Sequence, residues 1–198
     1  MNTTLKFLNL SSNNLPISEL FSEALKINNT IETLNLSYNN IGDQGIKSVS
    51  EALKKNKSLT ELNLSLNNIK NRGFDLLTEA LEMNSTIKVI HLSRNEINSE
   101  GIKKFSEMLK KNQTIQRISL FRNEIDDQGT KYLSEALKIN KTLKYIDISF
   151  NDIKSEGIKC LSKSLEINSS LVGLVAHHNK ISSEGCYFLS ESLKKTIL

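Results

Sequence analysis

Apolar and polar positions along the chain recur in a fixed pattern, with leucine or isoleucine at the first, fourth and sixth positions and asparagine at the ninth. The clearest copy is 58–84, S-L-T-E-L-N-L-S-L-N-N-I-K-N-R-G-F-D-L-L-T-E-A-L-E-M-N. The ninth-position residues, here called the anchor asparagines of repeats one to seven, are Asn13, Asn39, Asn67, Asn95, Asn123, Asn151 and Asn179. Their spacing is 26 residues once and then 28 residues five times. A fixed period of this size predicts a solenoid of stacked repeats.

Each repeat has two halves with different periodicities. In repeat three, Leu62 and Leu64 alternate with polar residues, which is typical of a half-buried strand. The second half carries apolar residues at helical spacing, such as Phe74, Leu77 and Leu81. Stacked repeats therefore predict one parallel sheet and one layer of helices. Because strands stack every ~4.8 Å and helices every ~8–10 Å, we expect a curved solenoid with the sheet on its concave side.

Three further positions recur with the period of the repeat. The residues four after the anchor are all good helix N-caps, and they are Asp43, Asn71, Ser99, Asp127, Ser155 and Ser183. Glycine follows two residues later and predicts close approach to the adjoining repeat, since it is costly in a helix; the positions are Gly45, Gly73, Gly101, Gly129, Gly157 and Gly185. A second set of asparagines closes the helices and is predicted to take the left-handed conformation: Asn28, Asn56, Asn84, Asn112, Asn140 and Asn168.

The two ends of the chain depart from the pattern. Repeat one is two residues short, lacks the glycine and contains Pro16, which is predicted to lie in the first turn of its helix. The last apolar residues have no polar cap after them, and they are Leu189, Leu193, Ile197 and Leu198. Solenoid ends need polar caps. We therefore expect a single domain over 1–198 with an uncapped C-terminal end, and either missing downstream sequence or end-to-end self-association.

The unit L-N-L-S-x-N-x-I, followed by a glycine-bearing helix and A-L-K-x-N, resembles the ribonuclease-inhibitor-type leucine-rich repeat over essentially the whole chain. The resemblance implies an α/β leucine-rich-repeat solenoid of about seven 28-residue repeats, with a concave parallel sheet and convex parallel helices. The family includes ribonuclease inhibitor, the repeat regions of NOD-like receptors and Ran GTPase-activating protein, and several bacterial effectors resemble it.

That resemblance implies a non-enzymatic protein–protein interaction module, or scaffold, that binds a protein partner through the concave strand face and adjoining loops. One alternative is a GTPase-activating-like regulator of a small GTPase. The other is a sensor fragment of a larger receptor or effector.

The outward strand and turn positions of repeats four to seven mix aromatic residues with arginine and histidine, whereas those of the first three repeats are largely polar. Aromatic residues and arginine dominate binding hot spots, and apolar exposure beyond scatter marks interaction sites. The predicted partner-binding residues are Val89, His91, Arg94, Arg117, Phe121, Arg122, Tyr145, Asp147, Phe150, His177 and His178. The competing interpretation is solvated variation on a scaffold that binds elsewhere.

Two of these arginines have a glutamate close by in the sequence. Arg94 and Arg122 share one repeat position, and a glutamate follows each two residues later, Glu96 and Glu124. This pattern favours either a surface ion-pair ladder of little energetic worth or an acidic patch on the partner.

Catalytic and metal chemistry have little support in the sequence. The anchor asparagines are expected to satisfy backbone groups between repeats. Adjacent strand residues such as His177 and His178 should point to opposite sides, and His91 lies three strands away, ~14 Å at strand spacing. We therefore expect no metal site, and the chain contains no phosphate-binding glycine motif. No catalytic residue and no cofactor are predicted.

Composition restricts partner and compartment. The 26 basic and 22 acidic residues are interspersed and give a net charge of +4, unlike a nucleic-acid-binding face. No apolar run approaches the ~18 residues of a membrane helix, and no basic signal region begins the chain.

Cys160 and Cys186 occupy different helix offsets, so we expect reduced thiols. Glycosylation sequons fall on predicted strands, where glycans would obstruct the surface. These observations predict a cytoplasmic protein, in the host cytosol if it is a bacterial effector.

Overall fold

The computed structural model describes residues 3–15 and 17–195, and within them short strands alternate with helices in every repeat. The strands are β1 (Phe7–Asn9), β2 (Thr33–Asn35), β3 (Glu61–Asn63), β4 (Val89–His91), β5 (Arg117–Ser119), β6 (Tyr145–Asp147) and β7 (Gly173–Val175). The helices are α1 (Glu19–Ile27), α2 (Gly42–Leu53), α3 (Asn71–Met83), α4 (Ser99–Lys111), α5 (Asp127–Ile139), α6 (Ser155–Leu165) and α7 (Ser183–Lys195).

The strands form one parallel sheet in the order β1 to β7. Their register follows the repeat, so that Leu34 pairs with Leu62 and Leu62 with Ile90. In β2, β3 and β4 these middle residues are fully buried, while the residues on either side are half-buried on the opposite face. One face of the sheet thus covers the helices and the other is open, which confirms the predicted solenoid.

The hydrophobic core is a continuous ribbon between the sheet and the helices. It is built from the recurring leucines and isoleucines of the strands and the inner faces of the helices. Phe74 and Phe105, on adjoining helices, are both fully buried with ring centroids 5.0 Å apart. Each helix packs on the helices of the neighbouring repeats, so the core is assembled repeat by repeat.

The anchor asparagines have the structural role that the sequence predicts. The Asn67 Oδ1 atom accepts hydrogen bonds from the backbone N–H groups of Asn39 (3.0 Å) and Ile41 (3.4 Å). Its Nδ2 atom donates to the carbonyl oxygen of Leu36 at 2.9 Å. Asn95 makes the equivalent bonds one repeat later. The anchor side chains of repeats two to seven therefore join each repeat to the preceding one.

The second set of asparagines departs from the prediction. Asn84 and Asn140 follow helices α3 and α5 with extended backbones, φ −84° and −65°, so the predicted left-handed conformation is wrong. Their side chains instead reach the preceding repeat, where Asn140 Nδ2 donates to the Leu109 carbonyl at 2.7 Å. Because Leu109 lies in the last turn of α4, this bond satisfies a carbonyl that its own helix leaves unpaired. The repeats are thus joined by two asparagine ladders.

The predicted N-cap residues also act across repeats. They are not N-caps of their own helices, because α3 to α7 begin at these residues and α2 begins one residue before Asp43. Asp127, the first residue of α5, accepts hydrogen bonds through Oδ1 from the N–H groups of Lys154 (2.7 Å) and Gly157 (3.0 Å) at the start of α6. Asp43 accepts in the same way from Lys70 N–H. These side chains therefore cap the helix of the following repeat.

Helix α5 has its own N-cap at Asp126, whose Oδ1 accepts from Gln128 N (2.8 Å) and Gly129 N (3.1 Å). The Ser99 hydroxyl also donates to this carboxylate. This hydrogen bond, followed by those from the backbone, lowers the pKa of Asp126 below its ordinary value.

We expect Asp126→Ala to lower the free energy of unfolding by about 1 kcal/mol at neutral pH. Because the folded-state pKa is lowered, this stabilisation is present above the unfolded-state pKa of about 4 and is lost as pH falls through and below it. Urea unfolding of wild type and variant at pH 7 and pH 3 measures the difference. The matched control Asp126→Asn keeps the acceptor but cannot ionise, so its stability relative to Asp126→Ala should not change with pH. A wild-type advantage that grows on acidification would contradict this role.

Four of the six recurring glycines lie where neighbouring repeats approach closely, as the sequence predicts for the set. A Cβ atom on Gly73 would stand 2.4 Å from Asp43 Oδ1 and 2.6 Å from Ile46 Cγ2, both in the preceding repeat. A Cβ atom on Gly129 would stand 2.5 Å from Ser99 Oγ. At Gly73, Gly101, Gly129 and Gly157 the side chains that fill this space are the cross-repeat caps, whereas Gly45 and Gly185 lie closest to an isoleucine of their own repeat.

Some predictions about the ends fall outside the described residues. These are the placement of Pro16 and of the apolar residues Ile197 and Leu198. Cys160 and Cys186 are free thiols, and burial raises the pKa of the Cys160 thiol. No helix within the described ranges is both long and apolar enough to cross a membrane.

Candidate functional site

The predicted binding residues lie in two layers on the open side of the sheet. The strand layer follows the register of the sheet, in which Val89 pairs with Arg117 and Arg117 with Tyr145. The turn layer lies beyond the strands, just before the anchor asparagines, and contains Arg94, Phe121, Arg122, Phe150, His177 and His178.

In the strand layer, an arginine is stacked on a tyrosine. The Arg117 guanidinium carbon lies 4.2 Å from the centroid of the Tyr145 ring, within the range of a cation–π interaction. The ring extends over the next strand, where a Cβ atom on Gly173 would stand 2.4 Å from Tyr145 Cδ1. Glycine in strand β7 thus leaves room for the ring, and the ring positions Arg117 on the open face.

The turn layer contains a cluster of four rings, Phe121, Phe150, His177 and His178, here called the aromatic cluster. Phe150 is central, with ring centroids 5.0 Å from Phe121, 5.5 Å from His177 and 4.1 Å from His178. The Phe150 side chain remains 37% exposed, and both histidines are exposed. Three adjoining repeats therefore contribute to one apolar and aromatic patch on the surface.

Two members of the aromatic cluster replace a recurring serine. The residue two before the anchor is serine in repeats one to four and six, at Ser11, Ser37, Ser65, Ser93 and Ser149. In repeats five and seven it is Phe121 and His177. Since the same turn forms with serine elsewhere in the solenoid, the fold does not require an aromatic residue here. This departure from the repeat is a sequence signal that identifies the cluster. Residue types alone indicate only the larger face of repeats four to seven.

The residue before each anchor asparagine has a left-handed backbone. The φ angles are 53° at Arg94, 54° at Arg122, 55° at Phe150 and 52° at His178, a region that non-glycine residues rarely occupy. Bonds between repeats hold the conformation, since Arg94 N–H donates to the Phe121 carbonyl at 2.7 Å and Phe150 N–H to the His177 carbonyl at 3.0 Å. The sheet-like ladder therefore continues through the turn and fixes these side chains in a row.

This backbone overturns one prediction about the histidines. His177 and His178 lie beyond the end of β7, so the alternation of strand side chains does not apply to them. Their ring centroids are 5.1 Å apart, and both rings contact Phe150. They share one side of the sheet instead of pointing to opposite sides. Within the described ranges, no three His, Cys, Asp or Glu side chains are grouped so as to hold a metal ion.

The arginines of the turn layer do not form the predicted ion-pair ladder. The Arg94 guanidinium carbon lies 5.8 Å from the Phe121 ring centroid, which joins this arginine to the aromatic cluster. Glu96 pairs with Lys70 at 3.4 Å instead. Among the described side chains, neither Arg94 nor Arg122 forms an ion pair. Both line a shallow depression with Glu124.

Three predicted residues of the strand layer belong neither to the aromatic cluster nor to the Arg117–Tyr145 pair. His91 is half-buried and lies 3.3 Å from Glu61 on the neighbouring strand. The Asp147 side chain is bonded within its own turn, because its Oδ1 atom accepts a hydrogen bond from Ser149 N–H at 2.9 Å. Val89 is half-buried at the start of β4. These residues border the site on the strand side.

An open groove continues the turn layer into the first half of the solenoid, and Arg94 is the one predicted binding residue among those that line it. It is lined by Ser12, Asn13, Asn14, Tyr38, Asn39, Asn40, Leu66, Asn68 and Arg94. Tyr38, Leu66 and Arg94 occupy the same left-handed position as Phe150, so this position forms one continuous row along the solenoid. Their shared position, one residue before the anchor asparagine, is the sequence signal that could have identified this groove.

A leucine-rich repeat model matches five stretches of the chain, 28–50, 55–77, 84–106, 111–134 and 140–162. A second leucine-rich repeat model matches 4–26. No curated protein matches the sequence.

Solved structures that resemble the chain include the tropomodulin C-terminal domain of Caenorhabditis elegans, with a TM-score of 0.63 and 15% identity over 77% of this chain and 93% of that one. They also include leiomodin-1 actin-binding site 2, with a TM-score of 0.59 and 24% identity over 75% of this chain and 87% of that one. At these identities the likeness concerns the fold alone. The repeat models together cover more than half of the sequence, and this protein belongs to the leucine-rich repeat family.

Proposed function

We propose that the chain is a non-enzymatic recognition module that binds a protein partner through the concave strand face and adjoining turns of repeats four to seven. The leucine-rich repeat is a protein–protein interaction fold, and the proposal concerns where this one binds. The aromatic cluster is the observation that carries it.

The aromatic cluster has the properties of a binding hot spot. Phe121 and Phe150 present apolar rings at the surface, where they add nothing to the core between sheet and helices. Arg94 is stacked beside them. Aromatic residues and arginine carry most of the binding energy in protein interfaces, and holding them in a bonded row limits the ordering cost on association.

The competing interpretation is that these residues are neutral surface variation. Two observations favour the binding role. Serine occupies the Phe121 position in most repeats, and four neighbouring rings converge where isolated apolar residues would be ordinary.

Two partners are worth assaying first. Actin is one, because a domain of similar fold is the leiomodin-1 actin-binding site. Small GTPases are the other, because the repeat resembles that of Ran GTPase-activating protein. The cytoplasmic location remains a prediction and is compatible with both.

Affinity capture from a eukaryotic lysate tests the site. The test variant is Phe121→Ala/Arg122→Ala/Phe150→Ala, and the matched control is Gln44→Ala/Gln128→Ala/Lys131→Ala on exposed helix positions. Both variants lose three side chains and one positive charge. We expect wild type and control to retain the same partner and the test variant to lose it, because truncating clustered hot-spot residues costs several kcal/mol.

Folding is checked by circular dichroism and thermal unfolding, which should agree among the three proteins. A folded test variant that retains the same proteins as wild type would contradict the proposed site and would place binding on the loops or helices.

A further inference from the structure

We propose that the partner presents an acidic segment, in which carboxylates bind the stacked arginines Arg94 and Arg117 and an adjoining apolar side chain contacts the aromatic cluster. This inference rests on the proposed function, because it specifies the chemistry of the partner at the same site.

The two arginines that lie over aromatic rings are positioned to bind carboxylates. The Arg117 guanidinium carbon lies 4.2 Å over the Tyr145 ring centroid, and the Arg94 guanidinium carbon lies over the Phe121 ring in a looser contact of 5.8 Å. An aromatic ring covers one face of a guanidinium and leaves its edge N–H groups available, and that planar edge matches a carboxylate with two parallel hydrogen bonds. Stacking also orders the long side chain before binding, which reduces the entropy lost when the partner arrives.

The carboxylates of this chain do not neutralise the arginines. Glu61 lies beside His91, and Glu96 pairs with Lys70. Asp147 accepts a backbone hydrogen bond from Ser149. Glu124 alone lines the depression beside Arg94 and Arg122.

Among the described side chains, Glu124 and Asp147 have no ion-pair partner, so three arginines meet two such carboxylates of this chain. The arginine-bearing part of repeats four and five is complementary to a partner that brings negative charge.

The positions of the two layers also constrain the partner. Arg117 lies at the start of β5, while Arg94 lies in the turn beyond the end of β4. Because a strand rises ~3.3 Å per residue, the two arginines are too far apart for one carboxylate to bridge. At least two acidic side chains are required, with an apolar or aromatic one near Arg94.

A nucleic acid is the less favoured anion. Its phosphates would pass Glu96, Glu124 and Asp152, which share one position of successive turns. The net charge of +4 is also small for a phosphate-tracking surface. A peptide can place its few carboxylates beside the arginines and avoid these acidic residues.

Selection from a random 12-residue displayed peptide library tests the proposal with the whole chain as bait. We expect recovered peptides to carry two or more Asp or Glu residues together with an apolar or aromatic one. A synthetic copy of the dominant peptide is then titrated against wild type, Arg94→Gln/Arg117→Gln and the control Lys103→Gln/Lys131→Gln, which removes two charges from the helices.

The site variant should bind at least about tenfold more weakly, since each charge-assisted hydrogen bond is worth that much or more, and the control should bind within twofold of wild type. Raising salt from 50 to 300 mM should weaken wild-type binding. Peptides without acidic enrichment, equal binding by the site variant, or tighter binding of a single-stranded oligonucleotide (dT)20 than of any peptide would overturn the proposal.

The two proposals fail in different ways. If capture depends on Phe121 and Phe150 but the captured partner binds Arg94→Gln/Arg117→Gln as tightly as wild type, the site stands and the acidic segment is wrong. If the alanine variant retains every partner, the site itself is wrong, whatever the peptides show.

Discussion

Replacing Asn67 with alanine is expected to lower the free energy of unfolding by about 3–5 kcal/mol. Asn67 is fully buried, and its side chain bonds to the backbone of the preceding repeat at Asn39 N, Ile41 N and Leu36 O. Alanine leaves these groups without their side-chain partner, and each unsatisfied buried group costs about 1–3 kcal/mol before relaxation. Urea unfolding followed by circular dichroism measures the loss.

The matched control is Asn29→Ala. Asn29 is exposed in the loop before β2, and no hydrogen bond of its side chain is observed within the described part of the chain. Its replacement should change stability by no more than about 0.5 kcal/mol. Equal effects at the two positions would mean that the ladder contributes little to joining the repeats.

Gly73→Ala is expected to destabilise the protein by about 1–3 kcal/mol. In an exposed helix interior the same change would stabilise by up to about 1 kcal/mol, since alanine is the better helix former. At Gly73 the added methyl meets Asp43 Oδ1 at 2.4 Å and the Asp43 Cα atom at 3.0 Å. Moving Asp43 away also breaks its hydrogen bond to Lys70 N–H at the start of α3.

Gly185→Ala is the comparison for this prediction. Its Cβ atom would stand 3.4 Å from Ser155 Oγ and 3.5 Å from Ser155 Cα, so the preceding repeat leaves ordinary contact distances there. Only Ile181 Cγ2, at 2.6 Å, has to shift. Thermal unfolding should show a clearly smaller loss at Gly185 than at Gly73. A loss at Gly185 equal to or larger than that at Gly73 would contradict the proposed contact between repeats.

The fold was predictable because its causes recur. The anchor asparagines appear in every repeat, and the period and leucine frame depart only in the short first repeat and at Ala176 in the last, so one interpretation applies throughout. The errors came from contacts between repeats. The side chains of Asp127 and Asn140 reach the neighbouring repeat, whereas capping rules read within one segment assign them to their own helix.

The sequence predicted which face of the solenoid carries the candidate site, but not the aromatic cluster within it. Arginine and aromatic residues at outward positions indicated repeats four to seven, but the left-handed φ of Phe150 and His178 could not be inferred from residue types that rarely adopt it. That conformation brings His177 and His178 to one side and forms the aromatic cluster. The replacement of the recurring serine by Phe121, seen when the repeats are compared position by position, was the sequence signal that could have located the cluster.

The dissociation constant of the captured partner, measured by calorimetry for wild type and Phe121→Ala/Phe150→Ala, shows whether the aromatic cluster is the recognition site. The two rings form the middle of the aromatic cluster, so we expect at least about a hundredfold weaker binding by a variant whose unfolding curve matches wild type. An unchanged dissociation constant in that folded variant would show that recognition occurs elsewhere on the solenoid.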